Sequence, residues 1–279
     1  MQVTVIGTSA MYNNNTLLSN WKKEQKELAE QLAILRQKAS TDALHDLRVA
    51  IKKLRAYLDL YILLKAGTDP VVTIIKTNFS NTEEFFSIIG RRRDVEICLS
   101  LTDVLQNENG CSIPYFRSYL RTMLKITGAW SNTAVHQYQH KELSRFGRLL
   151  KEEPIPGYPE KIKYCIDQQT ADLPAHFKKP HQLRKILKSV YYWLSLLPRT
   201  QAYQPGLLHS ILDDLGNWHD LEVLSTRLRH YRKDYLPTPF EEYAELKRSG
   251  EIILEKKKTL MKAALVKTKQ WLKEINKHK

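Results

Sequence analysis

The segment HDLRVAIKKLR at residues 45–55 returns, with changes, as HQLRKILKSVY at residues 181–191. In both copies an arginine follows the histidine after three residues, and a lysine follows it after seven. Apolar residues recur at steps of three and four, and they correspond in pairs: Leu47 with Leu183, Ile51 with Leu187, Leu54 with Val190, and Leu58 with Leu194. Because such steps place side chains on one face of a helix, each copy is predicted to form an amphipathic helix.

A second pair of segments repeats in the same order along the chain. IGRRRDVEI at residues 89–97 corresponds to LGNWHDLEV at residues 215–223. Two motifs that recur together in one order indicate a duplication. We therefore predict an all-α fold of two pseudo-symmetric helical bundles, in which the equivalent motifs face a shared centre.

Helical periodicity extends over most of the chain, which has only 10 glycines in 279 residues. Two of them, Gly90 and Gly216, begin the second repeated motif, and each is expected to break a helix. The helix that carries the first motif is expected to begin near Thr41 or Asp42, since either residue is a suitable N-cap.

A segment rich in proline, residues 152–159, is the best linker candidate. It divides one domain, residues 16–279, into two helical repeats of about 16–152 and 157–279. Before it, a turn at 107–114 and one long helix to about Lys151 are expected. Residues 1–15 are expected to form a flexible lead-in.

The N-terminus and the cysteines predict a soluble cytoplasmic protein that does not insert into a membrane. The apolar run at 3–6 lacks the basic residues and the length of a signal peptide, and residues 2–6 are the one β-strand candidate. No run approaches the ~18 apolar residues that a membrane helix needs. Cys98, Cys111 and Cys165 form no C-x-x-C pair, so we expect reduced thiols rather than disulfides or a zinc site.

The chain is basic, with 44 Lys and Arg against 30 Asp and Glu and a formal net charge of +14. Such an excess attracts nucleic acids, acidic membranes, acidic proteins or polyphosphate. Many basic soluble proteins share this balance, so the net charge alone does not identify the partner. The positions of the charged residues are needed to distinguish these possibilities.

One line of the first repeated helix is basic, because His45, Arg48, Lys52 and Arg55 lie three and four residues apart. The line is about 15 Å long, and it lies about 100° from the apolar stripe, so it borders the core. Within residues 43–57 the only acid is Asp46. Like charges at these spacings destabilise a helix by roughly a few tenths of a kcal/mol per pair, and an extended polyanion or an acidic helix would offset that repulsion.

The second copy carries a shorter basic line, because a tyrosine replaces its last arginine: His181, Arg184 and Lys188. Arg93 and His219 occupy equivalent positions in the second motif. Both are expected near a helix N-terminus, where backbone N–H groups and the helix dipole favour anions. Asp94 and Asp220 are expected to cap these helices or to pair with nearby arginines.

On these motifs the sequence resembles the CHAD family, whose name refers to histidines in an α-helical domain. The resemblance rests on residues 45–55 and 90–96 and on their counterparts from His181 and Gly216, and it extends from about Leu17 to Lys279. It implies two helical bundles around a basic central groove or pore that binds inorganic polyphosphate through Arg, Lys and some His. CHAD domains can accompany a triphosphate-tunnel (CYTH) domain, but the E-x-E-x-K signature of that domain is absent here. A stand-alone CHAD domain is therefore expected.

The resemblance assigns polyphosphate contacts by matching position to His45, Arg48, Lys52, Arg55, Arg93, His181, Arg184, Lys188 and His219. Further candidates have weaker support, because their direction on the helix differs or no motif covers them: Lys53, Arg91, Arg92, Arg121, Lys125 and Lys185. Ser189 and Tyr191 depart from the basic pattern, so the second half is expected to hold phosphate less tightly.

The resulting hypothesis is binding of polyphosphate without catalysis, cofactor or metal, for targeting to polyphosphate granules or for sensing the polymer. Metal chelation by the histidines is disfavoured, because a cation would meet Arg and Lys on the same face. Three alternatives stay open: a nucleic-acid binder, although stacking aromatics are not interleaved with the basic residues; an adaptor for acidic proteins; and a phosphohydrolase, for which Asp94 and Asp220 are the suggestive acids although no Walker loop is present.

Overall fold

The computed structural model describes residues 15–65, 79–152, 158–197, 203–235 and 241–277. Over these ranges the chain forms nine α-helices and no β-strand, which confirms the all-α prediction. The helices are α1 (Asn15–Gln37), α2 (Thr41–Leu64), α3 (Ser80–Asn109), α4 (Pro114–Gln137), α5 (Lys141–Glu152), α6 (Tyr158–Ala171), α7 (Pro180–Leu194), α8 (Pro205–Asp234) and α9 (Tyr243–Asn276), with a 3₁₀-helix at Leu173–His176. No helix in these ranges has both the length and the apolar character needed to cross a membrane.

Several sequence predictions fall on residues that lie outside the described ranges. These are the strand at 2–6, the lead-in at 1–15 apart from Asn15, which begins α1, and residues 153–157 of the linker. The division into two repeats, and the pseudo-twofold relation between them, stay predictions.

The larger of two hydrophobic cores joins α1, α2, α5, α6 and α7 to parts of the other four helices. Its fully buried side chains include three tryptophans. A buried indole N–H needs an acceptor, and each of these donates to a backbone carbonyl: Trp21 to Leu143 at 3.1 Å, Trp193 to Ala56 at 2.8 Å and Trp271 to Tyr203 at 2.8 Å.

A second, smaller core is built by α3, α4, α8 and α9 with the connection between α3 and α4. The two helices α3 and α8, of 30 residues each, contribute to both cores. On α3, Ile89 lies in the first core and Val95 in the second; on α8, Leu215 and Leu221 do the same. The polar residues between these positions therefore lie where the two cores meet.

The expectation that Gly90 and Gly216 break helices was wrong, because α3 and α8 continue through both residues. A glycine inside a helix costs only about 1 kcal/mol relative to alanine, and the apolar packing on both sides outweighs this. Consequently Arg93 and His219 lie in the middle of long helices rather than near their N-termini. Asp94 and Asp220 likewise cannot serve as N-caps.

Three other boundaries differ from the sequence predictions. Ser40, rather than Thr41 or Asp42, caps α2, and its hydroxyl accepts the N–H of Ala43 at 3.1 Å. The helix α3 continues to Asn109 and ends at Gly110, whose φ of 65° is the left-handed conformation that glycine adopts most easily.

The predicted long helix to Lys151 is divided into α4 and α5 at Tyr138. The ring of Tyr138 is buried and stacks on Phe85 with a centroid separation of 4.0 Å. Its hydroxyl hydrogen-bonds to Thr82 at 2.8 Å, and its carbonyl accepts a hydrogen bond from Arg36 Nη2 at 2.9 Å. These tertiary contacts replace the helical hydrogen bonds that the sequence pattern alone would predict.

Candidate functional site

Four helices, α2, α3, α7 and α8, surround a half-open cavity of about 380 Å³ where the two cores meet. All nine residues with the strongest sequence support lie in its lining: His45, Arg48, Lys52, Arg55, Arg93, His181, Arg184, Lys188 and His219. The basic lines of the two repeated helices thus face one cavity. Its described lining contains seven Lys and Arg against three Asp.

Phe86, on α3, organises the cationic side chains of α2. The guanidinium of Arg48 lies 4.2 Å from the centroid of the Phe86 ring, and that of Arg55 lies 4.7 Å from it. Arg48 Nη1 also donates to the Phe86 carbonyl at 3.1 Å. Arg55 pairs in addition with Glu83, one turn before Phe86 on α3. Cation–π contacts and hydrogen bonds therefore fix the guanidinium of Arg48 at the wall of the cavity.

Gly90 lies one turn after Phe86 and allows Arg48 its position. A β-carbon at residue 90 would lie 2.6 Å from Arg48 Nη1, a separation that non-bonded atoms do not tolerate. At the equivalent Gly216, no atom of the described residues, apart from the adjoining backbone of α8, lies within 4 Å of such a β-carbon. Close packing against an arginine therefore distinguishes Gly90 from Gly216, and a methyl group at residue 90 would shift the guanidinium of Arg48.

Several nitrogen atoms at the cavity lack a protein partner. Among the described residues, Lys52 and Lys188 form neither a hydrogen bond nor an ion pair, although the ammonium of Lys52 lies 6.0 Å from the Phe86 ring. Arg184 Nε and His219 Nδ1 are buried, and neither has a hydrogen-bond partner within the described part of the chain. Buried polar groups are normally satisfied, so this arrangement is suited to a ligand that supplies hydrogen-bond acceptors.

The environment of the cavity disfavours the protonated, positively charged forms of its lysine and histidine side chains. Burial, assisted by Lys188 and Arg48, lowers the pKa of Lys52 to about 6. Burial and Arg184 lower the pKa of Lys188 to about 8, and burial and Arg184 lower that of His219 to about 4. Each shift means that the protonated group is less stable here than in water. An anion in the cavity would offset this penalty.

A family model that matches most of the chain shows the family to which it belongs. The family model described as "CHAD domain" matches residues 21–229. The chain belongs to the CHAD domain family. A comparison with curated proteins found no match.

Solved structures with the same fold include two at low sequence identity. The CHAD domain from the plant Ricinus communis superposes with a TM-score of 0.67 at 15% identity and covers 91% of each chain. PptA from Streptomyces chartreusis gives a TM-score of 0.68 at 13% identity and covers 94% of this chain and 99% of that chain. At these identities the likeness concerns the fold.

The six candidates with weaker sequence support lie in different places in this CHAD domain. Lys185 lies in the cavity lining. Lys53 pairs instead with the buried carboxylate of Glu24 at 2.9 Å, and Arg92 pairs with Glu96 at 3.0 Å. The other three candidates lie outside the lining of this cavity: Arg91, which lines a separate groove with Trp130, and the exposed pair Arg121 and Lys125.

Asp94 and Asp220 belong to the cavity of the CHAD domain, since both line it from the middle of α3 and α8. Burial raises the pKa of each carboxyl group, and the positive charge of Arg48 for Asp94 and of Arg184 for Asp220 opposes that rise. In the two pairs of sequence motifs, Arg48 corresponds to Arg184 and Asp94 corresponds to Asp220. Of the earlier expectations for these acids, partnership with nearby arginines is the one that fits this placement.

Proposed function

We propose that this CHAD domain binds inorganic polyphosphate, without catalysis, in the cavity between α2, α3, α7 and α8. The observation that carries the proposal is the convergence of two basic helix faces, from distant parts of the sequence, on one cavity with unpartnered nitrogen donors. Arginine forks match pairs of phosphate oxygens, and lysine supplies a compact charge. Contacts of this kind are suited to binding a ligand that carries negative charge along its whole length.

Chain length should matter for binding. The cavity presents cations from both repeats, so a longer polymer engages more of them at once than pyrophosphate does. Simultaneous contacts raise the apparent affinity without any new type of interaction. We therefore expect long chains to bind more tightly than short ones.

Nucleic acid is favoured less by this cavity than polyphosphate is. Binding of single strands normally uses aromatic side chains on which bases stack. The aromatic residues in the lining are Phe86 and Tyr192, and Phe86 already contacts the guanidinium groups of Arg48 and Arg55. A base that stacks on Phe86 would therefore compete with these guanidinium groups for the ring.

Hydrolysis of phosphate is also favoured less than binding. Enzymes that transfer phosphoryl groups position metal ions with carboxylates beside the phosphates. Here Asp94 and Asp220 lie among cationic side chains, which repel a divalent cation. Release of phosphate from polyphosphate with Mg²⁺, abolished by Asp94→Asn, would favour a phosphohydrolase instead.

The test is a calorimetric titration of the purified chain with long-chain polyphosphate, pyrophosphate and a single-stranded oligonucleotide of equal charge, at low salt. We expect polyphosphate to bind most tightly and to displace any bound oligonucleotide. Absence of polyphosphate binding, or tighter binding of the oligonucleotide, would contradict the proposal. The adaptor alternative would gain support if an acidic protein bound at this cavity and polyphosphate did not.

Placement at polyphosphate granules, or sensing of the polymer, would follow from such binding. A fluorescent fusion of the chain is expected to co-localise with stained granules, and the same fusion with Arg48→Ala and Arg184→Ala is expected to disperse. Granule localisation that survives both substitutions would assign targeting to another surface.

Gly90→Ala is expected to weaken polyphosphate binding about tenfold, because the new methyl group displaces the Arg48 guanidinium and about 1.4 kcal/mol of charge-assisted bonding is lost. Gly216→Ala is the matched control. Its methyl group contacts no other part of the chain that the structure describes, so this substitution is expected to leave affinity unchanged and to stabilise α8 by up to about 1 kcal/mol. Calorimetric titration and urea denaturation of both variants check the pair. Equal affinities in the two variants would refute the role given to Gly90.

A further inference from the structure

Two lysines at equivalent positions of the two repeats, Lys52 on α2 and Lys188 on α7, line the same cavity. Lys188 is the leading charged neighbour that lowers the pKa of Lys52, and Arg184 is the leading charged neighbour that lowers the pKa of Lys188. Among the described residues neither ammonium group has an ion-pair partner. The positive charge around these two lysines is therefore a source of repulsion that Asp220 opposes but no ion pair among the described residues neutralises.

Charged and titratable groups face Lys52 from each of the four helices around the cavity. Cations and histidines form the majority: His45, Arg48 and Arg55 on α2, Arg93 on α3, His181, Arg184, Lys185 and Lys188 on α7, and His219 on α8. The carboxylates in the lining are Asp59, Asp94 and Asp220, and Tyr192 is the remaining titratable group. Of these carboxylates, Asp220 favours the charged form of Lys52 and so opposes the fall in its pKa.

We propose that binding of polyphosphate in this cavity is coupled to the uptake of one proton by the amine of Lys52. In the free protein near neutral pH, Lys52 holds a neutral amine among its cationic neighbours. When phosphate oxygens enter, a proton from the buffer adds to the amine, and the resulting ammonium faces the ligand. This inference rests on the proposed function, because it requires an anionic ligand at this site.

The physical reason is the change of environment at one nitrogen atom. Burial and the neighbouring cations lower the pKa of Lys52 to about 6 in the free protein. Nearby negative charge favours the protonated form, so bound phosphate raises that pKa again. Between pH 6 and the raised value, the complex holds a proton that the free protein lacks.

The sign of the pH dependence follows from linkage. Because the complex binds more protons than the free protein, affinity falls as pH rises above about 6. A single coupled proton lowers it by up to about tenfold per pH unit. Lys188, with a pKa of about 8, adds to the effect above that pH.

The experiment is calorimetric titration of the whole chain with long-chain polyphosphate at about pH 7.5, in two buffers of different ionisation enthalpy. The difference in observed heat gives the number of protons taken up per protein. We expect about one proton for the wild type. Lys52→Arg, whose guanidinium keeps its charge, is expected to bind with uptake reduced by about one proton, whereas Lys188→Arg is expected to retain most of the wild-type uptake.

Two further outcomes keep this inference separate from the proposed function. Tight binding without proton uptake would overturn the coupling and leave polyphosphate binding intact. Proton uptake that persists in Lys52→Arg would also overturn the coupling, because other groups such as the histidines would then take up the proton. No binding even at about pH 6 and low salt would overturn the proposed function itself. Lys52→Met, which fills a similar volume without a charge, provides a second variant that should lose the uptake if arginine disturbs the fold.

Discussion

Replacing Arg48 and Arg184 together by alanine is expected to lower the affinity for long-chain polyphosphate by about two to four orders of magnitude. Each guanidinium lines the cavity, one from α2 and one from α7. A hydrogen bond to a charged group contributes about 1.5–3 kcal/mol, so two such contacts account for roughly 3–6 kcal/mol. The measurement is a calorimetric or fluorescence titration at fixed low salt, after circular dichroism has shown that the variant is folded.

Arg121→Ala with Lys125→Ala is the control for this double variant. It also removes two positive charges from the chain, but from exposed positions on α4 outside the cavity lining. We expect its affinity to stay within about threefold of the wild type, since distant surface charges are screened. If the two double variants lose affinity equally, net charge rather than the cavity governs binding.

Raising the NaCl concentration from about 50 to about 200 mM is expected to weaken polyphosphate binding by about three orders of magnitude. A polyanion releases condensed counterions when it is bound, so the logarithm of affinity falls linearly with the logarithm of salt. A set of about five to seven phosphate contacts gives a loss of this size, and the described cavity lining holds seven Lys and Arg. Titrations at four or more salt concentrations give the slope.

The slope itself distinguishes the cavity from the general surface. Removing a phosphate contact reduces the slope by about one, so the variant with both Arg48 and Arg184 replaced should show a slope smaller by about two. The control at Arg121 and Lys125 should keep the wild-type slope. A slope near zero for the wild type would mean that few ionic contacts hold the ligand.

The sequence predicted which residues line the cavity because one motif occurs in it twice. His45 and His181 lie far apart in the chain, and no local pattern says that their helices meet. The repetition of one motif in two places predicted that equivalent faces share a centre, and the structure brings the two basic lines to one cavity. The fold class followed from periodicity in the same way.

The contacts that fix the cavity were not visible in the sequence. In the sequence, Phe86 is an ordinary apolar residue of a predicted helix. Only the fold shows that its ring contacts the guanidinium groups of Arg48 and Arg55. Lys53 directly follows Lys52 of the basic line, but it pairs with Glu24, a buried residue of α1. Both pairings depend on which helices are neighbours, which periodicity does not specify.

Helix continuity was the other property that local rules misjudged. Glycine is a weak helix former, and two of them were expected to end helices at 90 and 216. The apolar residues on either side belong to different cores, so each helix gains packing in both directions. Conversely, nothing in the local sequence at Tyr138 signals a break, because the cause is its stacking on Phe85.

The sharing of α3 and α8 between two cores has a genetic consequence. Neither core can unfold without removing a wall of the other, since the same helices serve both. A destabilising substitution at Phe116 or Leu228, in the second core and outside the cavity lining, would therefore also deprive the cavity of Arg93 and His219. Loss-of-function alleles of this protein should accordingly be scattered over the whole helical scaffold rather than confined to its charged residues.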